Sequence, residues 1–531
     1  MCVSSASTGG TELTDRHMAT DGRWPRVARW DWRAVALVGV CIALRWWLVF
    51  AGGQYWFPDE KRFWWSGLVV YRLSQSLWKP SLEPILDWNQ HPGFTCLGCV
   101  PVAIHWAWAG LAGLSIGEMP FEATVRFGAA FLSLASVISI LLIGTIVRRA
   151  GGDRAEALLA MALMAGSNTM FYYSRHTLPY DASLALALGS LAVGMRKGGW
   201  RRLVLSGWLA GAAFFTYYGY WAVVFVIWGT VIIWKVASVR EAGYRLLWFG
   251  IGAVTWLGVF AVGREVVFGR SFLQGVVSFA AITPPQMYTE GWSAPWTYLW
   301  YAEHGLLIFW LAALVSILWA ARTGRPMAAY GLTWIAMVGT LYVLLILSSV
   351  VLHRFVVYGR TARQLVPFFC LIGAFTGMRL WDMARTVAGK RILQMGMILL
   401  ILQAAWNFRV PLQQWFPRDV RRLVAAEYGA FSEATTIDCP KMEDEFAPLG
   451  VVTQPTRYVL LNAQYLARIH GAKTPPRGAI VLRFAQPMQF TPYQYEEFTP
   501  RERDLLRATD ISMRLVDTTG ERELANPATI P

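Results

Sequence analysis

The sequence predicts a polytopic α-helical membrane protein of about eleven spans with a small C-terminal α/β domain. Three observations predict it. Long, continuous apolar runs recur from residue 34 to residue 406, in a chain that is 55% hydrophobic with 28 Trp and only 15% charged residues. The polar connectors between those runs are repeatedly basic, and the chain changes character after residue 406. A span needs about 20 apolar residues, and lipid leaves only helices or closed barrels as solutions. A barrel would alternate with period two in short segments, which these runs do not.

Residues 1–33 are polar and carry Arg23, Arg26, Arg29 and Arg33 against Asp31 ahead of the first apolar run. The positive-inside rule makes that segment cytoplasmic. The run 34–53 has no small-residue cleavage site behind it and reads as a retained span rather than a signal peptide. Further runs lie at 93–114, 127–147, 155–173, 181–195, 203–219, 220–237, 246–267, 304–321, 328–351, 363–378 and 391–406. The connectors "RRAGGDR", "RKGGWRR", "KVASVREAGYR" and "ARTGRP", with the stretch from Arg379 to Arg391, are all basic. All fall on the inner side only if 93–114 lies along the outer interface instead of crossing. That gives the membrane domain 34–406, with the N-terminus in, the C-terminus out and a first outer loop over 54–126.

Residues 407–531 hold 15 basic and 15 acidic side chains, which leaves 33 basic against 18 acidic residues for the rest of the chain. The net charge of +15 therefore belongs to the membrane part, where loop orientation and anionic lipid explain it; nucleic acid is excluded as a partner. Strand-like runs "RYVLLNAQYL" and "AIVLRFAQPM", a helical patch near 420–430 and a Pro-led amphipathic stretch "TPRERDLLRATD" make the tail an outer α/β domain. Cys96 and Cys99 form a CxxC inside an apolar helical run and read as packing residues. Cys439 is alone in the tail, so no disulfide is expected there.

Three motifs meet on the predicted outer surface. "YWFPDEKRFWW" (55–65) follows the first span and places Asp59 and Glu60 within an aromatic belt. "WNQHPGF" (88–94) introduces the interfacial run with His91 and Pro92. "FYYSRHTLPYDASL" (171–184) sets Asp181 at a span end beside Arg175 and His176. A fourth outer stretch, "HRFVVYGRTAR", gathers Arg354, Arg360 and Arg363, where the positive-inside rule disfavours such a cluster. Each has a plain structural reading. Asp59 and Asp181 sit where a helix N-cap would, the histidines suit an interface, and the arginines suit lipid headgroups.

In their order, "PDE" in the first outer loop, the "HP" turn, Arg126 in "ATVRFGAAF" and the "YSR…D" element resemble the GT-C superfamily of polyprenyl-phosphate-sugar transferases. The likeness is to its glycosyltransferase family 39-like group, which includes protein O-mannosyltransferases and the aminoarabinose–lipid A transferase. It runs over residues 34–200 and the span layout to 406. The chain departs from the pattern at Phe63, where Tyr is common, and around the turn. The resemblance implies a GT-C fold and a cell (inner) membrane enzyme with its active site and tail outside. Asp59 would be the catalytic base, and Asp181 a second acid that shapes the cavity or holds a divalent metal if one is used. Glu60, His91, Arg175, His176, Arg354, Arg360 and Arg363 would bind substrate. The implied partners are a polyprenyl-phosphate-sugar donor, a lipid, glycan or protein acceptor, and membrane lipids.

The implied chemistry suits these residue types. A carboxylate against an apolar interface can rise toward a useful basicity and take the acceptor hydroxyl's proton. A phosphate leaving group needs cations rather than an acid, and the guanidinium fork matches phosphate oxygens. Two rivals remain: a transporter or flippase of lipid-linked sugars, which would bury charges at mid-span breaks, and a lipid-linked glycan polymerase or ligase.

Overall fold

The computed structural model describes residues 31–50, 91–113, 121–269, 291–322, 328–352 and 359–413 apart from single positions, several positions between 63 and 70, and three short strands in the tail. Asp59, Glu60 and Arg354 lie outside the described residues, as do the helical patch near 420–430, "RYVLLNAQYL" and "TPRERDLLRATD".

The membrane part is a helical bundle. In chain order it contains α1 (Trp32–Phe50), α2 (Pro92–Leu111), α3 (Phe121–Ala150), α4 (Arg154–Ala165) and α5 (Asn168–Tyr172). Then come α6 (Tyr180–Gly194), α7 (Trp200–Thr216), α8 (Trp221–Ile233), α9 (Val239–Phe268) and α10 (Ala294–Glu303). The last are α11 (Gly305–Arg322), α12 (Ala328–Ile346), α13 (Gly359–Ala362), α14 (Val366–Met383) and α15 (Val387–Gln413). Seven helices among the described residues are long and apolar enough to cross a membrane, and two shorter apolar ones, Tyr180–Gly194 and Tyr218–Ile233, run beside them. In the tail, β1 (Ile480–Leu482), β2 (Leu515–Asp517) and β3 (Glu523–Ala525) form an antiparallel sheet in that order.

Lipid is the natural solvent of the outer surface. Val262 on α9, Trp319 on α11 and Leu399 on α15 are each more than half exposed, on faces too broadly apolar to rest in water. The centre is α6, which is apolar on every side and buried along nearly its whole length, as such a helix must be. It packs between α3 and α7. Its neighbour α7 touches α9 backbone to backbone: a Cβ on Gly207 would come within 1.9 Å of the Phe249 carbonyl oxygen, and one on Gly252 within 2.0 Å of that of Val204. Small residues permit this approach where no hydrophobic force draws helices together.

Local signals set the helix starts. Asp153 accepts from the Glu156 amide (2.8 Å) to cap α4. At α9, Ser238 accepts from the Glu241 amide while Glu241 reaches back to the amide of Ala237, the residue before the cap, so side chains satisfy backbone donors on both sides of the helix start. The run 155–173, predicted as one span, is instead interrupted at Gly166–Ser167. Helix α4 stops after 12 residues and Ser167 caps the short α5 by accepting from the Met170 amide. The physical cause is Glu303 at the end of α10. Its carboxylate accepts from the Ser167 hydroxyl (2.6 Å) and from the amides of Asn168 (3.1 Å) and Thr169 (2.9 Å). The free N–H groups of a new helix start are satisfied by an acid from elsewhere.

The basic turns collect at one end of the bundle. Arg149 lies within electrostatic reach of Arg196 and Arg202, and Gly151, Lys235 and Arg379 line one cavity. At the opposite end, α2 begins against Tyr217 and Tyr218 just beyond α7, and its His105 Nδ1 is 3.2 Å from Thr124 Oγ1 near the start of α3. Both contacts belong to the same end, so α2 runs along that end, although its length and composition would allow it to cross.

Candidate active site

The end of the bundle away from the basic turns brings Asp181 and Arg363 together. Pro179 precedes α6, and Asp181 falls in its first turn, where the helix N-terminus favours an acid. Arg363 lies in a single 3-10 turn between α13 and α14, completely buried. Its Nη2 donates to Asp181 Oδ1 and faces Met170 Sδ at 3.5 Å, while its guanidinium lies 4.9 Å from the Tyr173 ring centre. Arg363 Nε and Nη1 have no hydrogen-bond partner among the described residues. Two expected site residues, one an acid and one a phosphate-directed cation, thus form one buried pair.

A second guanidinium stands nearby. Arg45, in α1, is buried and donates to Ser136 Oγ (3.1 and 3.2 Å) and to the Cys41 carbonyl (3.3 Å), with the Phe171 ring 5.6 Å away. Asp181 and Arg363 are both within its electrostatic reach. Within this group of three side chains, two guanidiniums face one carboxylate, in a medium where charge is costly to bury.

Aromatic side chains enclose the pair. Tyr180 meets Tyr173 (5.5 Å) and Tyr217 (4.8 Å), and Tyr217 meets Tyr220 (5.2 Å). Arg360 donates from Nη1 to the Tyr180 hydroxyl at 2.9 Å. Gln364 ties the layer down by accepting from the Val223 amide and donating to the Gly219 carbonyl, each at 3.2 Å.

The other expected residues divide. His91 is buried against the rings of Tyr217 and Tyr218, with a left-handed backbone (φ 53°) that turns the chain into Pro92 at the start of α2. His176 is buried 5.6 Å from the Tyr172 ring. Arg175 closes the 3-10 turn Tyr173–Arg175. No group of three or more His, Cys, Asp or Glu side chains lies together among the described residues.

Arg45, the tyrosines, Gln364 and Glu303 are not among the site residues expected from the sequence. The tyrosines had a signal, the repeated pairs in "FYYSRH" and "TYYGYW". Glu303 had none, because its partners are more than 130 residues earlier.

No protein-family model matches the chain, and no curated protein does. Solved structures with a similar course include the archaeal oligosaccharyltransferase AglB from Archaeoglobus fulgidus in complex with an inhibitory peptide and a dolichol-phosphate, at 11% identity and a TM-score of 0.44. Others are the oligosaccharyltransferase of that organism tethered to an acceptor peptide containing the NVT sequon (11%, 0.43) and its apo form (10%, 0.42). In each case 80% of this chain is covered, and it spans about 60% of the length of the solved protein. Likenesses of this size place the chain in no family.

Proposed function

We propose that the protein is an integral-membrane glycosyltransferase of GT-C type that moves a sugar from a polyprenyl-phosphate carrier to an acceptor on the extracytoplasmic face. The observation that carries this reading is the buried Arg363 guanidinium, with two donors facing no partner among the described residues and Arg45 within its electrostatic reach. A carrier phosphate brings negative charge and accepts those donors. The motif order through Asp59, His91–Pro92, Arg126 and Asp181 supports the same reading.

In the reaction, the acceptor oxygen bonds to the anomeric carbon as the carbon–oxygen bond to phosphate breaks. Asp59 takes the acceptor's proton, and the polyprenyl phosphate leaves with the bonding electrons. A single displacement inverts configuration. Arg363 and Arg360 stabilise the charge that grows on the phosphate, which is where preorganised cations act most strongly. Asp181 holds the Arg363 guanidinium in place rather than accepting a proton, because it already carries the ion pair.

The test compares wild-type membranes with Asp59→Asn and Arg363→Lys variants of equal abundance. Transfer from a polyprenyl-phosphate sugar should fall about a hundredfold or more in each, the usual cost of losing one charge-stabilising or proton-accepting group. An unchanged glycan profile with normal insertion would overturn the assignment. Loss of carrier movement across the bilayer without loss of transfer would favour the flippase reading.

A further inference from the structure

A cavity of about 870 Å³ opens at the basic end of the bundle, between α8, α12, α14 and the turn joining α3 to α4. It is at the far end from Asp181 and Arg363. Its volume lies in the range of sites that hold a small ligand. The walls facing α8 and α12 are apolar, and the rim residues Phe225, Ile233, Ala336 and Thr340 are exposed on the lipid-facing surface. The cavity therefore has an apolar opening on the side of α8 and α12, and its charged end is also open at Gly151 and Lys235.

Its inner edge is charged. Lys235 follows α8 with a left-handed backbone (φ 48°), a conformation that costs a residue with a side chain. Arg245 fixes that turn by donating to the carbonyls of Val231 (3.2 Å) and Trp234 (2.5 Å). Arg379 lies 5.2 Å from the Phe375 ring centre, and its Nε is buried with no hydrogen-bond partner among the described residues. Its contact with Asp382 is a long 3.7 Å. The lining also holds one acid, Glu156. Of the lining side chains, Lys235 and Arg379 are basic and Glu156 is acidic, with Asp382 against Arg379 from outside the lining.

We propose that this cavity is a binding site for an anionic glycerophospholipid of the surrounding leaflet. One acyl chain lies along the apolar wall past Gly229, and the phosphate sits between Lys235 and Arg379. The two basic side chains select an amphiphile with an anionic headgroup, and the apolar opening selects a molecule already in the bilayer.

The test uses the full chain in mild detergent, titrated with phosphatidylglycerol, phosphatidylcholine and undecaprenyl phosphate and read by native mass spectrometry. Wild type should keep phosphatidylglycerol about twenty-fivefold more tightly than phosphatidylcholine, since each of the two nearby cations is worth about fivefold for an anionic headgroup. Gly229 lines the cavity and a Cβ there would meet nothing within 4 Å, so Gly229→Leu extends a side chain from that wall and should abolish the retained lipid. Lys235→Gly removes the cation while relieving the backbone, so it should weaken phosphatidylglycerol about fivefold with a melting temperature in lipid-free detergent no lower than wild type. Equal retention of the two phospholipids, or full retention in both variants, would overturn the proposal. Undecaprenyl phosphate bound here in preference to phosphatidylglycerol would also overturn it, leaving the Arg363 reading to its own test.

Discussion

Asp181 and Arg363 stand 182 positions apart in the chain and form a single ion pair with almost no solvent contact. Removing either partner leaves the other charge buried. Asp181→Ala and Arg363→Met should each cost about 3–5 kcal/mol. The double variant should cost clearly less than the sum, because no unpaired charge is left from the pair. Thermal unfolding of the detergent-purified protein checks this, and additive losses would show that the two side chains do not act as one unit.

The hydrogen bond from Arg360 to the Tyr180 hydroxyl positions a cation without burying it fully. Tyr180→Phe keeps the ring against Tyr173 and Tyr217 and deletes only that acceptor. Transfer should fall about tenfold, the worth of one hydrogen bond to a charged group, with little change in melting temperature. A fall in stability equal to the loss of activity would point to packing instead.

Glu303 holds the start of α5 with three hydrogen bonds. Glu303→Ala strips the partners from two buried amides and should destabilise by about 1–3 kcal/mol or more, while Glu303→Gln, which keeps acceptor capacity, should cost less. Because α5 carries Met170, which faces Arg363, the alanine variant should also reduce transfer. Protease sensitivity near residues 166–175 gives a local readout that a global effect would not confine there.

At the α7–α9 contact, Gly207→Ala drives a methyl group into backbone and should cost about 1–3 kcal/mol or more, as overpacking does. Gly250→Ala, two positions from Gly252, meets nothing within 4 Å and should be neutral or stabilising by up to about 1 kcal/mol. Comparing the two melting temperatures separates close packing from helix propensity.

The helical membrane class, the gathering of basic turns and the placement of Asp181 near a helix start were legible because hydropathy and charge are local properties. The break at Ser167 was not, since hydropathy averages across residues 155–173 and only the distant Glu303 makes a helix start viable there. Asp181 and Arg363 were each visible as chemistry-bearing residues, but their pairing depends on how α6 and α14 meet in space. The burial of Arg45 was hidden for the same reason: Ser136, which accepts its hydrogen bonds, lies 91 positions on. Asp59, the residue on which the proposed chemistry leans most, lies outside the described residues, so sequence alone nominates it.

The interlocked glycines of α7 and α9 also bear on how a substrate would reach Arg363. Each glycine sits against the other helix's backbone, so sliding by one position would force a side chain into space that holds only hydrogen. The two helices therefore form a post of fixed register. That post carries Tyr217 at its tip, beneath His91 and beside Tyr180. On the proposed reading, a carrier phosphate reaches Arg363 on the side of the tyrosine layer away from this fixed post.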